Sequence, residues 1–543
     1  MINPDGRELQ ELHVFRRLAD DDRPDQWRLP IARLAMALSL ALPICLGTRL
    51  PDRPGPVYLA NPLWEPKSEP GSSEMHRIML LSAQSLACTV TVVNAAEIHV
   101  PQDFPSLQAA IDAANPGDSV IIHGGTHPGG IVVSGKAISV SAAPGTIATI
   151  DGAGSWGLRA SDVPAPGLRL HRLLLRNCAN DSFGSALRAD ASVIDISNCE
   201  FTGNQVVGGG GTRGGGALFA STCSIRIHNS SFIGNDVTLN SNAYPFGHGG
   251  AMMLDWCDLT VDGCEFRSNT VTTVVPGASW SESRAFGGAI SARWSTGTLR
   301  SCEFIENRAD SRVSGFGPLA SAQGFALSLA SQTGSGFEVA ACRFLGNAGL
   351  TNSENTFYGG AGTSIATLCF GYPDGHGVGH LNLVTGCEFE GNRAVKLPNT
   401  NGAAIADISC TFDSSANISE CTFARSSATN LVETLPGFGE WRGSVRSLTN
   451  PGIDSTTLTA SSFCGLDCPA TGPEIVTKGN SELTVCCEGD LDHSREVDGS
   501  DLGLMLSRWG QGSSAEPCDL NDDGQVDEAD LAVLLKRWGP CAG

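Results

Sequence analysis

The chain has 543 residues, of which 65 are glycine, 17% are charged and 6% are aromatic. So much glycine and so little charge argue against a coiled coil or a large helical bundle. With 35 basic against 57 acidic residues the formal charge is -22, which excludes nucleic acid and anionic membrane as main partners, since both need a basic surface. Cations and neutral glycans stay open. Nineteen cysteines are compatible with disulfides, a metal site or small buried hydrophobes, and their spacing has to decide.

Residues 1–74 lack the apolar periodicity of a core, and 51–74 carry six prolines, so this leader is expected to be disordered. The apolar run Leu34–Leu42 is short and stops at Pro43. A secretion signal is expected over 75–95: Met75, His76 and Arg77 give a polar, basic start, Ile78–Val93 is apolar, and Val93-Asn94-Ala95 fits a small-residue cleavage site. Translation is then expected to begin near Met75 and the mature chain near Ala96, secreted to the extracellular space or cell surface. The alternative is a buried strand. No other run is long enough to span a bilayer.

Further on, Ser106 can cap a short amphipathic helix over Leu107–Ala114, which Asn115-Pro116-Gly117 stops before a strand at Ser119–Ile122. A repeat then fills the middle of the chain. The motif CxFxxN recurs at Cys199/Phe201/Asn204, Cys264/Phe266/Asn269, Cys302/Phe304/Asn307, Cys342/Phe344/Asn347 and Cys387/Phe389/Asn392. Ser230/Phe232/Asn235 and Ser461/Phe463 put Ser at the Cys place, and Cys421/Phe423 lacks the Asn. A second element follows, as in Gly215-Gly216-Ala217-Leu218, Gly249-Gly250-Ala251-Met252 and Gly287-Gly288-Ala289-Ile290.

The spacing from the motif Ala to the next CxF position is identical in four copies: Ala186 to Cys199, Ala217 to Ser230, Ala251 to Cys264 and Ala289 to Cys302. The return from the CxF position to the next motif Ala varies, being short before Ala186 and longest before Ala289. A rigid segment alternating with an elastic one predicts a solenoid whose insertions leave at one corner. Ser192–Ile196 and Ser224–Ile227 alternate apolar with polar as half-buried strands do. The expected fold is all-β: a right-handed parallel β-helix over 96–485, followed by a small α-helical domain over 486–543. Equivalent residues of such coils form ladders about 4.8 Å apart. Phe is expected inside as an apolar column. Asn is expected at a bend, bonded to the next turn's backbone and tolerating left-handed φ. The Cys column reads as buried thiols, with inter-coil disulfides as the alternative.

The opening run with its capping helix resembles that of pectin-lyase-like right-handed β-helix proteins, and the CxFxxN and GGA[IL] repeats look like those of polymorphic outer-membrane proteins. The resemblance covers about 96–480 and implies a fold that hosts polysaccharide lyases and glycoside hydrolases, which use paired carboxylates or a basic residue beside calcium. Gly375-His376-Gly377 faintly resembles a polygalacturonase segment, yet the paired aspartates are missing and only Asp374 is near. Asp255, Asp258 and Asp262 share one coil; solvated strand carboxylates are the simpler account. Catalytic residues stay unassigned. The insertions at 205–214, 236–248 and 270–286 would make a rough groove or a decorated edge.

The C-terminus carries two twelve-residue acidic loops in tandem, 490–501 and 519–530. Calcium takes six to eight oxygens, supplied by side chains at positions 1, 3, 5 and 12 and a backbone carbonyl at 7, with an apolar anchor at 8. The first loop offers Asp490, Asp492, Ser494, Glu496, Asp498 and Asp501; the second Asp519, Asn521, Asp523, Gln525, Asp527 and Asp530. Gly524 suits the sharp turn of the second, while Arg495 stands there in the first and weakens it. Two calcium ions are expected. Residues 488–543 are strongly acidic, with only Arg495, Arg508, Lys536 and Arg537 as cations, a repulsion that calcium would offset while folding the module. Cys518 and Cys541 bracket the second repeat and could clamp it, with Cys487 as competitor.

A duplicated loop followed by a helix, with no helix entering the first loop, resembles type I dockerin modules more than a full EF-hand pair. That resemblance implies tethering through a cohesin-like scaffold domain, with Ser500 and Glu528 at the contact positions. The combined expectation is a secreted or surface-anchored calcium-binding β-helix that binds or degrades polysaccharide, by hydrolysis of O-glycosyl bonds or β-elimination. The alternative is a non-enzymatic adhesive solenoid.

Overall fold

A computed structural model describes residues 95–277, 281–314, 319–331, 336–353, 361–371 and 380–396, together with shorter C-terminal stretches that include 404–410, 414–424, 496–510 and 525–540. The leader and the segment 75–94 lie outside the described residues, as do Asp374 and Gly375-His376-Gly377.

One coil serves to derive the architecture. Leu218–Ser221, Ser224–His228 and Ser231–Ile233 are three short strands. They meet at two-residue corners, each turned by one left-handed residue, Thr222 (φ 56°) and Asn229 (φ 48°). A left-handed residue reverses the pleat locally, so the chain turns without spending a loop. Each strand pairs in parallel with its equivalent in the next coil: Leu218 opposite Met252, Ile225 opposite Leu259, Phe232 opposite Phe266. We call the resulting ladders I, II and III. Ladders I and II belong to one 28-stranded sheet and ladder III is an 11-stranded sheet. The chain is therefore a parallel β-helix, as its spacing predicts. The constant stretch from Ala217 to Ser230 consists of ladders I and II with their corners; later coils correct the expectation of a single insertion corner, since they also insert residues between these two ladders, after Ser331 and after Phe370.

The elastic segment is ordered differently from the sequence expectation. Residues 205–214, 236–248 and 270–286 are not a rough edge. Each is a pair of strands, for example Asp236–Asn240 going out and Pro245–His248 coming back. The outgoing strands stack as an 8-stranded parallel sheet, ladder IV, and the returning ones as ladder V, with Phe246 opposite Arg284. Val206, Val237, Leu239, Val271, Ala285 and Phe325 form a second apolar core between them. The insertions thus build a wing that varies in width from coil to coil and keeps its register.

The Gly-Gly motif sits where the wing rejoins ladder I. Gly249 has φ +57°, and a Cβ on Gly250 would run into the carbonyl oxygen of Gly288 in the next coil. At Gly250 the absence of a side chain lets the backbones approach this closely, whereas the equivalent position holds Ser185 in an earlier coil and Phe325 in a later one.

The first coil is closed by helix α1, Leu107–Ala113, whose N-cap Ser106 accepts from the Ala109 N–H and which buries Leu107, Ala110 and Ile111. Lys136 Nζ donates to the Ile111 and Ala114 carbonyls at the other end, satisfying acceptors a helix C-terminus leaves open. Asp118 ties the coil's entry, accepting from the Ala96 and Asn115 N–H groups at 2.8 Å each.

Inside, three columns run along the solenoid. The rings of Phe201, Phe232, Phe266, Phe304, Phe344, Phe389 and Phe423 stack with centroids 4.6 to 5.0 Å apart, and Phe463 stands in register with Phe423. Asn204, Asn235, Asn269, Asn307, Asn347 and Asn392 are wholly buried. Asn269 Nδ2 donates to Phe232 O one coil back and to Asn307 Oδ1 one coil on, both at 2.9 Å. One expectation needs correcting: the left-handed residue is the one before each Asn, namely Gly203, Gly234, Ser268, Glu306, Gly346 and Gly391. That residue makes the bend, and the Asn beside it keeps ordinary φ while its amide ties the neighbouring coils together. The cysteines of the motif, Cys199, Cys264, Cys302, Cys342, Cys387 and Cys421, are free buried thiols, which selects the hydrophobe reading over disulfides. Burial pushes the Cys199 thiol up to about 11.

Candidate functional site

The C-terminal module is built from two copies of one local geometry. Helix α2 is Gly499–Ser507 and helix α3 is Glu528–Lys536. Asp498 and Asp527 are their N-caps, and each forms a capping box with Asp501 and Asp530 respectively, which fixes where the helices start. Asp501 Oδ1 accepts from the Leu491 N–H at 2.6 Å and Oδ2 from the Asp498 N–H at 2.8 Å. Asp530 repeats this with Leu520 at 2.6 Å and Asp527 at 2.8 Å. Both carboxylates are fully buried. Burying a carboxylate is costly unless its charge is met.

Position 8 is Val497 in one loop and Val526 in the other, both buried in a small core with Met505, Cys518 and Leu534. The repeats cross at this point. Val497 pairs antiparallel with Gly539, behind α3, while the Gly510 N–H, behind α2, donates to Val526 O at 2.8 Å. The Trp-Gly ending of each helix thus braces the other repeat's loop.

Asp490, Asp492, Ser494, Asp519, Asn521 and Asp523, at positions 1, 3 and 5, lie outside the described residues. Among the described residues no three acidic, histidine or cysteine groups converge on a metal position. The groups that are described fit calcium: all are oxygen donors, and the position-12 carboxylates are held in buried, fixed seats. Ser500 and Glu528 stand exposed in the first turns of α2 and α3. Cys518 is buried, and Cys487 and Cys541 fall outside the described residues.

On the solenoid, the three aspartates of one coil do not converge. Asp255 ends a strand of ladder I and is bonded through both oxygens to Arg293, at 2.7 and 2.5 Å. Asp258 and Asp262 lie at the two ends of the ladder II strand, both exposed. Buried His248, which the sequence reading passed over, stacks on Phe286 at 4.6 Å and bonds Ser291 through Nδ1 at 3.0 Å. Burial first, and then the charges of Arg293 and Arg284, hold it well below the ordinary imidazole range. A neutral ring packed in the seam is a structural element.

The corner between ladders I and II carries a feature the sequence reading missed. Trp256 and Trp294 occupy equivalent left-handed corner positions, φ 56° and 48°. Their rings stack at 5.3 Å and 17°, and Trp256 is 49% exposed. Arg293 lies 5.1 Å from the centre of the Trp294 ring. The signal was available: Trp256 and Trp294 stand at the same offset from their motif alanines, Ala251 and Ala289.

No protein-family model matches the chain, and no curated protein matches it. Among solved structures, the A-module of the mannuronan C-5 epimerase AlgE4 of Azotobacter vinelandii is similar at 11% identity, over 71% of this chain and 100% of that one, with a TM-score of 0.32. A polygalacturonase from Erwinia carotovora ssp. carotovora is similar at 8% identity over 71% and 96%, TM-score 0.27. The receptor-binding domain of the Siphovirus 9NA tailspike is similar at 10% identity over 70% and 75%, TM-score 0.22. The parallel β-helix stands on the chain's own ladders and not on these likenesses.

Proposed function

We propose that the chain is an extracellular, calcium-binding β-helix that binds polysaccharide and is tethered to a surface by its C-terminal module. The observation that carries this reading is the duplicated pair of buried carboxylates, Asp501 and Asp530, seated identically at the ends of two acidic loops. Asp490, Asp492, Ser494, Glu496 and Asp501 would hold one calcium, with Asp498 beside them, and Asp519, Asn521, Asp523, Gln525 and Asp530 the other, with Asp527. The ion supplies the positive charge that lets so acidic a segment close. Ser500 and Glu528, exposed beside the loops, would face a cohesin-like scaffold partner. The polysaccharide half is supported by the exposed aromatic corner of the solenoid.

Two measurements test it on the secreted full-length protein. Equilibrium dialysis is expected to find two calcium ions bound, both released by chelator; a chain that binds none overturns the tether. Retention on a panel of pectins, alginates, xylans and glycosaminoglycans, followed also for new reducing ends and lyase absorbance, tests the other half. Retention on no member of that panel or on any neutral glycan would leave the adhesive solenoid as the better reading.

A further inference from the structure

The coil order places the Trp256–Trp294 stack at an abrupt step. The corner residues along this edge are Asp162, Ala191, Thr222, Trp256 and Trp294, each with φ between 47° and 56°. Two large rings therefore adjoin a run of small side chains. Backbone bonds fix the sequence of levels: the Thr222 N–H donates to Asp255 O at 2.8 Å, and the Trp256 N–H to Arg293 O at 3.0 Å. Trp294 covers one face of Trp256. The other face looks over Thr222 and Ala191, both exposed, and the corner on that side offers no ring to cover it. The corner spacing is about 4.8 Å per coil, which is also the separation at which a flat ring stacks on an indole.

We infer that this step is a glycan subsite, in which an uncharged pyranose lies against the outer face of Trp256, over Thr222, as the next member of the stack. The inference rests on the polysaccharide reading above and assigns its place and sugar class. An indole face attracts the C–H-rich face of a pyranose as it attracts other apolar or partly positive surface. Hydroxyls at the sugar's edge need partners, and both flanks supply them. On the ladder I side stand Asp190 and Ser221, in register with Asp255. On the ladder II side stand Ser224 and Asp258, directly opposite each other and exposed.

Charge selects the class. On the ladder I side Arg293 is bonded to Asp255, and Arg188 to Asp190 at 2.9 Å, so both cations there are already matched; on the ladder II side Arg226, exposed two residues beyond Ser224, stands in register with Asp195. Asp258 adds a negative charge, and the chain as a whole carries -22. A polyuronate would meet repulsion here, whereas neutral hydroxyls can donate to these carboxylates.

The test is affinity electrophoresis of the full-length protein in gels containing xyloglucan, galactomannan, mixed-linkage β-glucan, polygalacturonate or alginate, with thermal melting as a control for folding. Retardation by at least one neutral polymer is expected. Trp256→Ala should weaken it at least tenfold and Trp256→Phe only partly, with melting temperatures unchanged because the ring is on the surface. Undiminished binding of folded Trp256→Ala overturns the subsite while leaving the polysaccharide reading in place. Retardation by the polyuronates alone overturns the neutral class. Binding to none of the polymers here or in the panel above removes the reading on which the inference rests.

Discussion

At the scale of single residues, the asparagine column shows how one side chain can hold two coils. Asn307 donates through Nδ2 to Phe266 O at 2.8 Å and to Asn347 Oδ1 at 3.0 Å, while its Oδ1 accepts from the backbone N–H and the Nδ2 of Asn269 at 3.1 and 2.9 Å. Replacing it by alanine leaves buried donors and acceptors without partners on both sides. Asn307→Ala is expected to cost roughly 2–5 kcal/mol, read as a drop in the urea midpoint. Cys302→Ser is different in kind, since the chain already uses Ser at the equivalent Ser230, whose Oγ accepts from the Cys199 N–H at 3.1 Å. That variant should fall within about 1.5 kcal/mol of the parent. The pH dependence sits at Asp118. The N–H groups of Ala96 and then Asn115 hold its carboxyl below the ordinary value, so the folded state favours the ionised form. Its contribution is therefore complete above the unfolded value of about 3.9 and is lost as the pH falls through the lower folded value. Melting curves between about pH 5 and 2 should show an acid limb that is shallower in Asp118→Asn. Equal limbs in the two proteins would place the acid sensitivity elsewhere.

At the scale of elements, what could be read in the sequence was whatever repeats at fixed spacing. Ladders I and II keep one constant stretch in four successive coils, so Cys, Phe and Asn fall into register by inspection, and helix α1 announces itself through Ser106 and Asn115-Pro116. The wing escaped because its two strands are joined by turns of different length, which destroys the period although Val237 and Leu239 or Val271 and Val275 alternate as strands do. The left-handed residue was placed one position late because Asn is the common non-glycine choice for that conformation, whereas Ser268 and Glu306 adopt it here next to an Asn already engaged in the column. At the candidate site the two acidic loops were visible as a run of oxygen donors. The aromatic step was not, since two tryptophans separated by a whole coil become neighbours only once the coils are stacked. The seam between wing and solenoid gives the prediction at this scale. Gly250→Ala puts a methyl group against the Gly288 carbonyl, forcing two backbones apart. It should destabilise by about 1–3 kcal/mol or more, whereas Gly209→Ala, with open space around it, should be close to neutral. Equal effects in the two variants would mean that the seam yields without strain.

At the scale of the whole molecule, the solenoid and the C-terminal module keep separate apolar cores: one runs from Val100 to Phe423 and the other is confined to residues 491–534. A solenoid is stabilised coil against coil, so nothing in its ladders requires calcium. Calorimetry of the full chain is accordingly expected to show a calcium-dependent transition for the module and a second transition that chelator does not move. The crossing of the two repeats sharpens this. Val526 of the second loop is braced by Gly510, and Val497 of the first by Gly539, so a loop that lost the proposed ion would also loosen the segment bracing its partner. Asp530→Asn would weaken the proposed calcium seat of the second loop while keeping the side chain's shape. If the loops were independent, the first would still bind one ion with its own affinity. The crossed hydrogen bonds predict instead that Asp530→Asn weakens calcium at both loops, so that equilibrium dialysis near the parent's half-saturating concentration finds clearly less than half of the parent's bound calcium. Asp501→Asn should do the same in the other direction, and to a smaller extent, because the Arg495 loop contributes less to begin with. Retention of one full, unchanged site in Asp530→Asn would show that the crossed bonds carry structure but no coupling.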